Sequence, residues 1–209
     1  MNLNARNGSG ELASAPIPFL STPVIRSAQC RKLSSKARSL VIILMGVVGA
    51  GKTTVGQLLA QRLGWKFADA DDFHSAQNIE KISHGIALDD ADRAPWLAAL
   101  RQAIEQWSAA GQNVVLACSA LKDSYRDELR AGPVKFVYLK GDYELIRQRL
   151  RSRHGHFASE SILKRQLEDL EEPDDALTVV IDKSPEAIVS EIVAKLHASG
   201  PEYPYPAQT

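Results

Sequence analysis

The feature that most constrains this chain is an apolar run, Leu40-Val41-Ile42-Ile43-Leu44-Met45, leading directly into Gly46-Val47-Val48-Gly49-Ala50-Gly51-Lys52-Thr53. An apolar run without alternation is what a strand buried on both faces of a parallel sheet requires. The eight residues after it match the phosphate-loop pattern G-x-x-x-x-G-K-[ST] in full. Behind the loop, Val55, Leu58, Leu59 and Leu63 recur at helical spacing and Gly64 suits a helix cap. The physical logic is that glycines let backbone N–H groups turn inward around phosphate oxygens, and the helix N-terminus adds positive potential. Lys52 would reach the β- and γ-phosphates and the Thr53 hydroxyl would ligate Mg²⁺. A glycine turn with an exposed lysine explains the loop only if its flanking strand and helix are coincidental.

The rest of the chain alternates in the same way. Trp65–Asp69, Val114–Cys118, Val134–Leu139 and Leu177–Ile181 read as further strands. Between them lie helical patterns. One, beginning at Pro95, carries Trp96, Leu97, Leu100, Ile104 and Trp107 on one face and stops at Gly111; the last begins near Pro185. The expectation is an α/β domain over residues 40–199: a three-layer P-loop NTPase fold around a central, mostly parallel five-stranded sheet.

Residues 1–39 hold six basic residues and one acidic residue and show no sustained periodicity. They read as disordered, with an organelle-targeting segment as the weaker alternative; residues 200–209 read as an irregular tail. Residues 40–209 carry 19 basic and 24 acidic residues, which argues against a nucleic-acid surface. No apolar run is long enough to span a membrane. Two cysteines, Cys30 and Cys118, suggest neither a disulfide framework nor a zinc site, so a reducing, cytoplasmic setting is expected.

A phosphate loop specifies a nucleotide, not a reaction. The third strand ends in Cys118-Ser119-Ala120, with no metal-holding Asp; the acids stand instead at the end of the second, in Asp69-Ala70-Asp71-Asp72. Ligands gather at the C-terminal ends of strands in an open parallel sheet. Asp69 is expected to orient water on Mg²⁺, and Asp71 to accept a hydrogen bond from an acceptor hydroxyl and remove its proton. A solvated acidic turn capping the next helix is the plainer alternative. His74, Arg93, and Lys122 with Tyr125 and Arg126 supply groups suited to an anionic acceptor, though each taken alone is more often a surface residue. Arg147, Arg149, Arg151, Arg153, His154 and His156 form a basic cluster in which Arg149 and Arg153 share a helix face. It reads equally as a solvated helix or as a lid whose arginines close over the transferring phosphoryl group.

The segments GVVGAGKTT, DADDFHSAQNIEKI, GIALDDADRAPWL, CSALKDSYRDELR, FVYLKGD, RSRHGHF and LEDLEEP, in order from about residue 40 to 185, resemble the gluconokinase family. The resemblance implies an adenylate-kinase- or shikimate-kinase-like fold with a helical lid. It also implies transfer of the ATP γ-phosphate, with Mg²⁺, to the 6-hydroxyl of D-gluconate. Carried over residue by residue, ATP would contact Gly46, Gly49, Ala50, Gly51, Lys52, Thr53 and Thr54, with Asp182 and Pro185 near adenine. Asp71, His74, Arg93, Lys122, Arg126, His156 and Gln166 would line the acceptor pocket, and Arg149 and Arg153 would be the lid arginines. A homodimer is left open. Ala70 departs from the family's usual Gly between the two acids and is expected either to crowd the turn that places Asp71 or to force negative φ there. Ala158, replacing a bulkier residue, is expected to loosen the lid. Another small-molecule kinase of this fold, for shikimate or a nucleoside, or a nucleotide-binding module without turnover, are the alternatives.

Overall fold

The computed structural model describes residues 39–152 and 158–198. The expectations for the N-terminal extension and the C-terminal tail, and the Ala158 side chain, lie outside the described residues.

Five strands form one sheet: β1 (Val41–Met45), β2 (Lys66–Asp69), β3 (Val114–Ala117), β4 (Val134–Lys140) and β5 (Leu177–Val180). They run in the order β2-β3-β1-β4-β5, and every pairing is parallel, as the unbroken apolar strands require. β1 is central, with Ile42 opposite Val115 on one side and Lys135 on the other. All its residues are fully buried, and each such side chain contributes about 1.5–3 kcal/mol relative to exposure.

Alternation along β1 builds two cores. Leu40, Ile42 and Leu44 face one layer with α1 (Lys52–Leu63), α5 (Tyr143–Ser152), α6 (Ala158–Glu168) and α7 (Pro185–Ala198). Val41, Ile43 and Met45 face the other with α3 (Asp90–Ala109) and α4 (Asp123–Leu129). The three-layer expectation is met. A short helix, α2 (Ala76–Ser83), crosses between the second strand and α3. Among the described residues, no helix is long and apolar enough to cross a membrane.

Pro95 does not begin its helix. α3 starts at Asp90, where a capping box outweighs the proline: the Asp89 side chain accepts from the Asp92 N–H, and the Asp92 side chain accepts from the Asp89 N–H. Pro95 lies within the helix and forgoes one backbone bond there.

Candidate active site

β1 ends at a loop that needs left-handed backbone. Gly49 has φ 80° and Gly51 has φ 91°, conformations open to glycine at little cost. A Cβ on Gly49 would also lie 3.0 Å from Ile146 and Leu150 of α5, so the loop and that helix approach backbone to side chain. Gly51 is the N-cap of α1, which aims the first turn of that helix at the loop's interior. The Ala50 side chain is fully buried, which leaves the backbone of the loop as its binding surface.

The loop opens into a cavity of about 260 Å³ whose lining includes Gly51, Lys52, Thr53, Thr54, Asp69 and Asp71. Strand order explains the company: β3 separates β1 from β2, and the C-terminal ends of all three face the same crevice. The Thr53 hydroxyl donates to Asp69 Oδ2 at 2.9 Å, and the Lys52 ammonium donates to the Val47 carbonyl at 3.1 Å. Asp69 Oδ1 accepts from the Asp71 backbone N–H at 3.2 Å, capping the 3₁₀ turn Ala70–Phe73. One carboxylate thus ties the loop to the turn that carries the other.

Asp71 lines the cavity with its side chain accessible to solvent on one side and crowded by protein on the other. That crowding, reinforced by the Asp69 charge, raises its carboxyl above the usual value; Lys52 and His74 work in the opposite direction. A carboxylate with raised basicity near a phosphate-binding lysine is suited to proton abstraction. Ala70 does not crowd the turn. Its side chain is buried in the second core, it keeps negative φ, and its carbonyl accepts the Trp96 indole N–H at 2.7 Å. The methyl fills space that the indole closes off.

His74 stacks on Trp96 with ring centroids 4.8 Å apart and planes 10° from parallel. Burial lowers its pKa, Arg93 adds to the effect, and Asp71 opposes it. Its Nδ1 is buried without a hydrogen-bond partner. Arg93 and Lys122 meet at Tyr125: Arg93 donates to the Tyr125 hydroxyl at 3.1 Å, Tyr125 donates to Asp90 Oδ1, and Lys122 lies 2.9 Å from the same oxygen.

Two expected residues stand elsewhere. Arg126 does not offer its guanidinium to an acceptor. It is 2% exposed and donates to the carbonyls of Ala120, Leu121 and Glu171 and to Asp123. Those carbonyls belong partly to a strained bend, since Ala120 holds φ 44°, a conformation costing about 1 kcal/mol for a residue with a Cβ. Arg149 donates to the Ile181 carbonyl at 2.6 Å, at the exit of β5 beside Asp182, instead of reaching the phosphate loop. Gln166, on α6, lines the cavity with Asp71 as expected, and there accepts from the Val48 N–H of the phosphate loop at 2.6 Å. Pro185 begins α7, with Ser184 accepting from the Ala187 N–H ahead of it, and Asp182 is exposed. Arg153 and His156 lie outside the described residues.

Asp90 and Trp96 were not legible as site residues. Asp90 sits in an acid-rich run resembling a solvated helix start, and only its spacing of three from Arg93 hinted at a pair. Trp96 belongs to an apolar stripe and gave no sign that its N–H holds the Ala70 carbonyl.

A phosphate loop at the centre of an all-parallel sheet, facing an acidic pair on the neighbouring crevice edge, defines a P-loop kinase of small molecules. The shikimate kinase family model matches residues 48–197. A gluconokinase of Gluconobacter oxydans is 42% identical over 172 residues, covering 80% of this chain and 96% of that protein. The crystal structure of a gluconokinase from Sinorhizobium meliloti superposes with a TM-score of 0.65 at 36% identity, covering 79% of this chain and 99% of the other. An unliganded sugar kinase from a Janibacter species gives 0.71 at 38% identity, covering 80% and 99%. The chain belongs to the gluconokinase family, a branch of kinases sharing the shikimate kinase fold.

Proposed function

We propose that this chain transfers the γ-phosphoryl group of ATP to the 6-hydroxyl of D-gluconate, releasing ADP and 6-phospho-D-gluconate. The observation that carries the reading is the single cavity shared by Lys52, Thr53, Asp69 and Asp71. A phosphate loop alone fits any nucleotide hydrolase; one whose mouth faces a carboxylate of raised basicity fits transfer to a hydroxyl. The choice of acceptor rests on the 42% identity to a gluconokinase along nearly its whole length.

The Thr53 hydroxyl and the Asp69 carboxylate are hard oxygen donors side by side at the loop, which fits Mg²⁺. Thr53 would ligate it directly and Asp69 through water; when bound, the ion supplies positive charge to the β- and γ-phosphates. Lys52 and the loop N–H groups hold those phosphates and neutralise charge that grows on the equatorial oxygens. Asp71 orients the acceptor hydroxyl and takes its proton as the new phosphate ester forms. Arg93 and Lys122 give the acceptor carboxylate counter-charge. His74, kept neutral beside Asp71, packs the acceptor's hydroxylated body.

Measurement of ADP release with gluconate, shikimate and a panel of nucleosides tests the reading. Turnover with gluconate and none with the others is expected. Turnover only with shikimate or a nucleoside would replace the acceptor, and tight ATP binding without turnover would overturn the kinase reading.

A further inference from the structure

A dense charge arrangement outside the phosphate loop joins the N-terminal ends of α3 and α4. Asp90 is the first residue of α3, and Lys122 immediately precedes α4. The Lys122 ammonium lies 2.9 and 3.0 Å from the two Asp90 oxygens. The Tyr125 hydroxyl donates to Asp90 and accepts from Arg93, whose guanidinium is 3.7 Å from the same carboxylate. Both cations also lie near the Tyr125 ring, Arg93 at 5.8 Å and Lys122 at 5.4 Å from its centroid. A chain of neighbouring side chains links this cluster to Asp71 at the cavity. Arg93 and Trp96 are three apart on α3, Trp96 stacks on His74, and His74 feels the charges of both Arg93 and Asp71.

We propose that Asp90, hydrogen-bonded to Tyr125, is a positioning residue that fixes Lys122 and Arg93 as one carboxylate-binding pair and so sets the preference for an acid over a neutral polyol. The inference rests on the acceptor assignment above. Two long cationic side chains around one phenol repel each other, and each loses rotamer freedom when it is held. A carboxylate between them removes the repulsion and settles that ordering before the acceptor arrives, so the acceptor binds a pair already in place.

Asp90 could instead compete with the acceptor for the same cations. Its exposure decides between the two effects. The side chain is 66% exposed, so its charge is screened at a distance. Its hydrogen bonds to Lys122 and Tyr125 act locally and survive that screening. Positioning therefore outweighs repulsion.

The test is steady-state kinetics of Asp90→Asn, Asp90→Glu and Tyr125→Phe at saturating ATP, with gluconate and with its neutral amide, gluconamide. Losing charge-assisted hydrogen bonds should raise the gluconate KM about tenfold in Asp90→Asn. Its kcat should stay near that of the parent, and its kcat/KM for gluconamide should not move. The preference for acid over amide then falls by the same factor. Asp90→Glu should recover most of it, and Tyr125→Phe should shift the gluconate KM in the same direction by less. A merely structural Asp90 would weaken both acceptors alike and lower the melting temperature, and that result overturns the proposal. So does an unchanged or lowered gluconate KM in Asp90→Asn; should that variant not fold, the same result in Tyr125→Phe decides. A parent chain inactive on gluconate would refute the acceptor assignment, whereas an active parent with unmoved variants refutes this inference alone.

Discussion

Replacing Asp71 by asparagine should separate chemistry from folding. The hydrogen bond that fixes residue 71 in its turn comes from the backbone N–H to Asp69, so an isosteric amide leaves the turn intact. The lost group is the proton acceptor. Positioned general bases contribute about 10²–10⁴-fold, which is roughly 3–5 kcal/mol of barrier at about 1.36 kcal/mol per tenfold. The kcat should fall by that factor while the KM for ATP stays near that of the parent, because Lys52 and the loop N–H groups are untouched. Stability should move the other way. Burial and Asp69 raise the Asp71 pKa above its unfolded value of 3.8. Between those two values the folded chain holds a proton that the unfolded chain has released. Stability from this group is therefore complete below the unfolded value and falls as pH rises through the folded one. At neutral pH the ionised carboxylate is a standing cost, and Asp71→Asn should melt no lower than the parent, with the difference vanishing in acid. Initial rates over ATP and gluconate, with melting curves at neutral and acidic pH, check both halves. A variant that keeps its kcat and loses only ATP affinity would show Asp71 to belong to the metal's surroundings, and the base assignment would fail.

Three further substitutions probe the rest of the arrangement. Lys52→Ala should lower turnover on the order of a thousand-fold through lost charge stabilisation, read by ADP release, with the melting temperature little changed. Arg126→Ala strands the carbonyls of Ala120 and Glu171 and takes one of two donors from that of Leu121; it should cost about 3 kcal/mol in denaturant unfolding, a loss that a purely acceptor-binding arginine would not show. Trp96→Phe removes the indole donor from the Ala70 carbonyl while keeping most of the stacking on His74. It should cost about 1–2 kcal/mol of stability and lower kcat by displacing the turn that carries Asp71.

The parts of this molecule legible in its sequence are those governed by local rules. A continuously apolar β1, glycines at Gly49 and Gly51, and the Gly64 cap of α1 each follow from backbone sterics or burial, so strand, loop and helix could be read in order. The acids at Asp69 and Asp71 were legible because the end of a parallel strand is where ligands sit. What escaped was set by contacts distant in the chain. Arg126 looked like a cation for an anionic acceptor, yet its guanidinium is turned inward by carbonyls as far away as Glu171. Arg149 was read from its sequence spacing to Arg153, and nothing local predicts that the Ile181 carbonyl captures it. Gln166 was expected at the pocket by resemblance and lines the cavity, but its bond to the Val48 N–H follows only from folding. The start of α3 was misplaced because the proline rule was applied where the Asp89–Asp92 capping box wins.

The acidic pair shows why two like residues two apart do different work. Residue 69 is the last of β2 and adopts extended backbone; residue 71 is already inside the 3₁₀ turn. An extended residue sends its neighbour's side chain to the opposite side, and Ala70 is buried in the second core beneath Trp96. With the middle residue anchored, Asp69 and Asp71 both emerge at the crevice. Asp69 then accepts two hydrogen bonds, from Thr53 and from the Asp71 backbone, which fix its carboxylate at the mouth of the loop and fit it to hold a cation. Among the described residues the Asp71 side chain accepts no such bond, and burial, reinforced by the Asp69 charge, raises its basicity. Position along one turn, not residue type, makes the first a holder of charge and the second an acceptor of protons. The alanine between them is the pivot, and a residue too large for the space under Trp96 would disturb both roles at once.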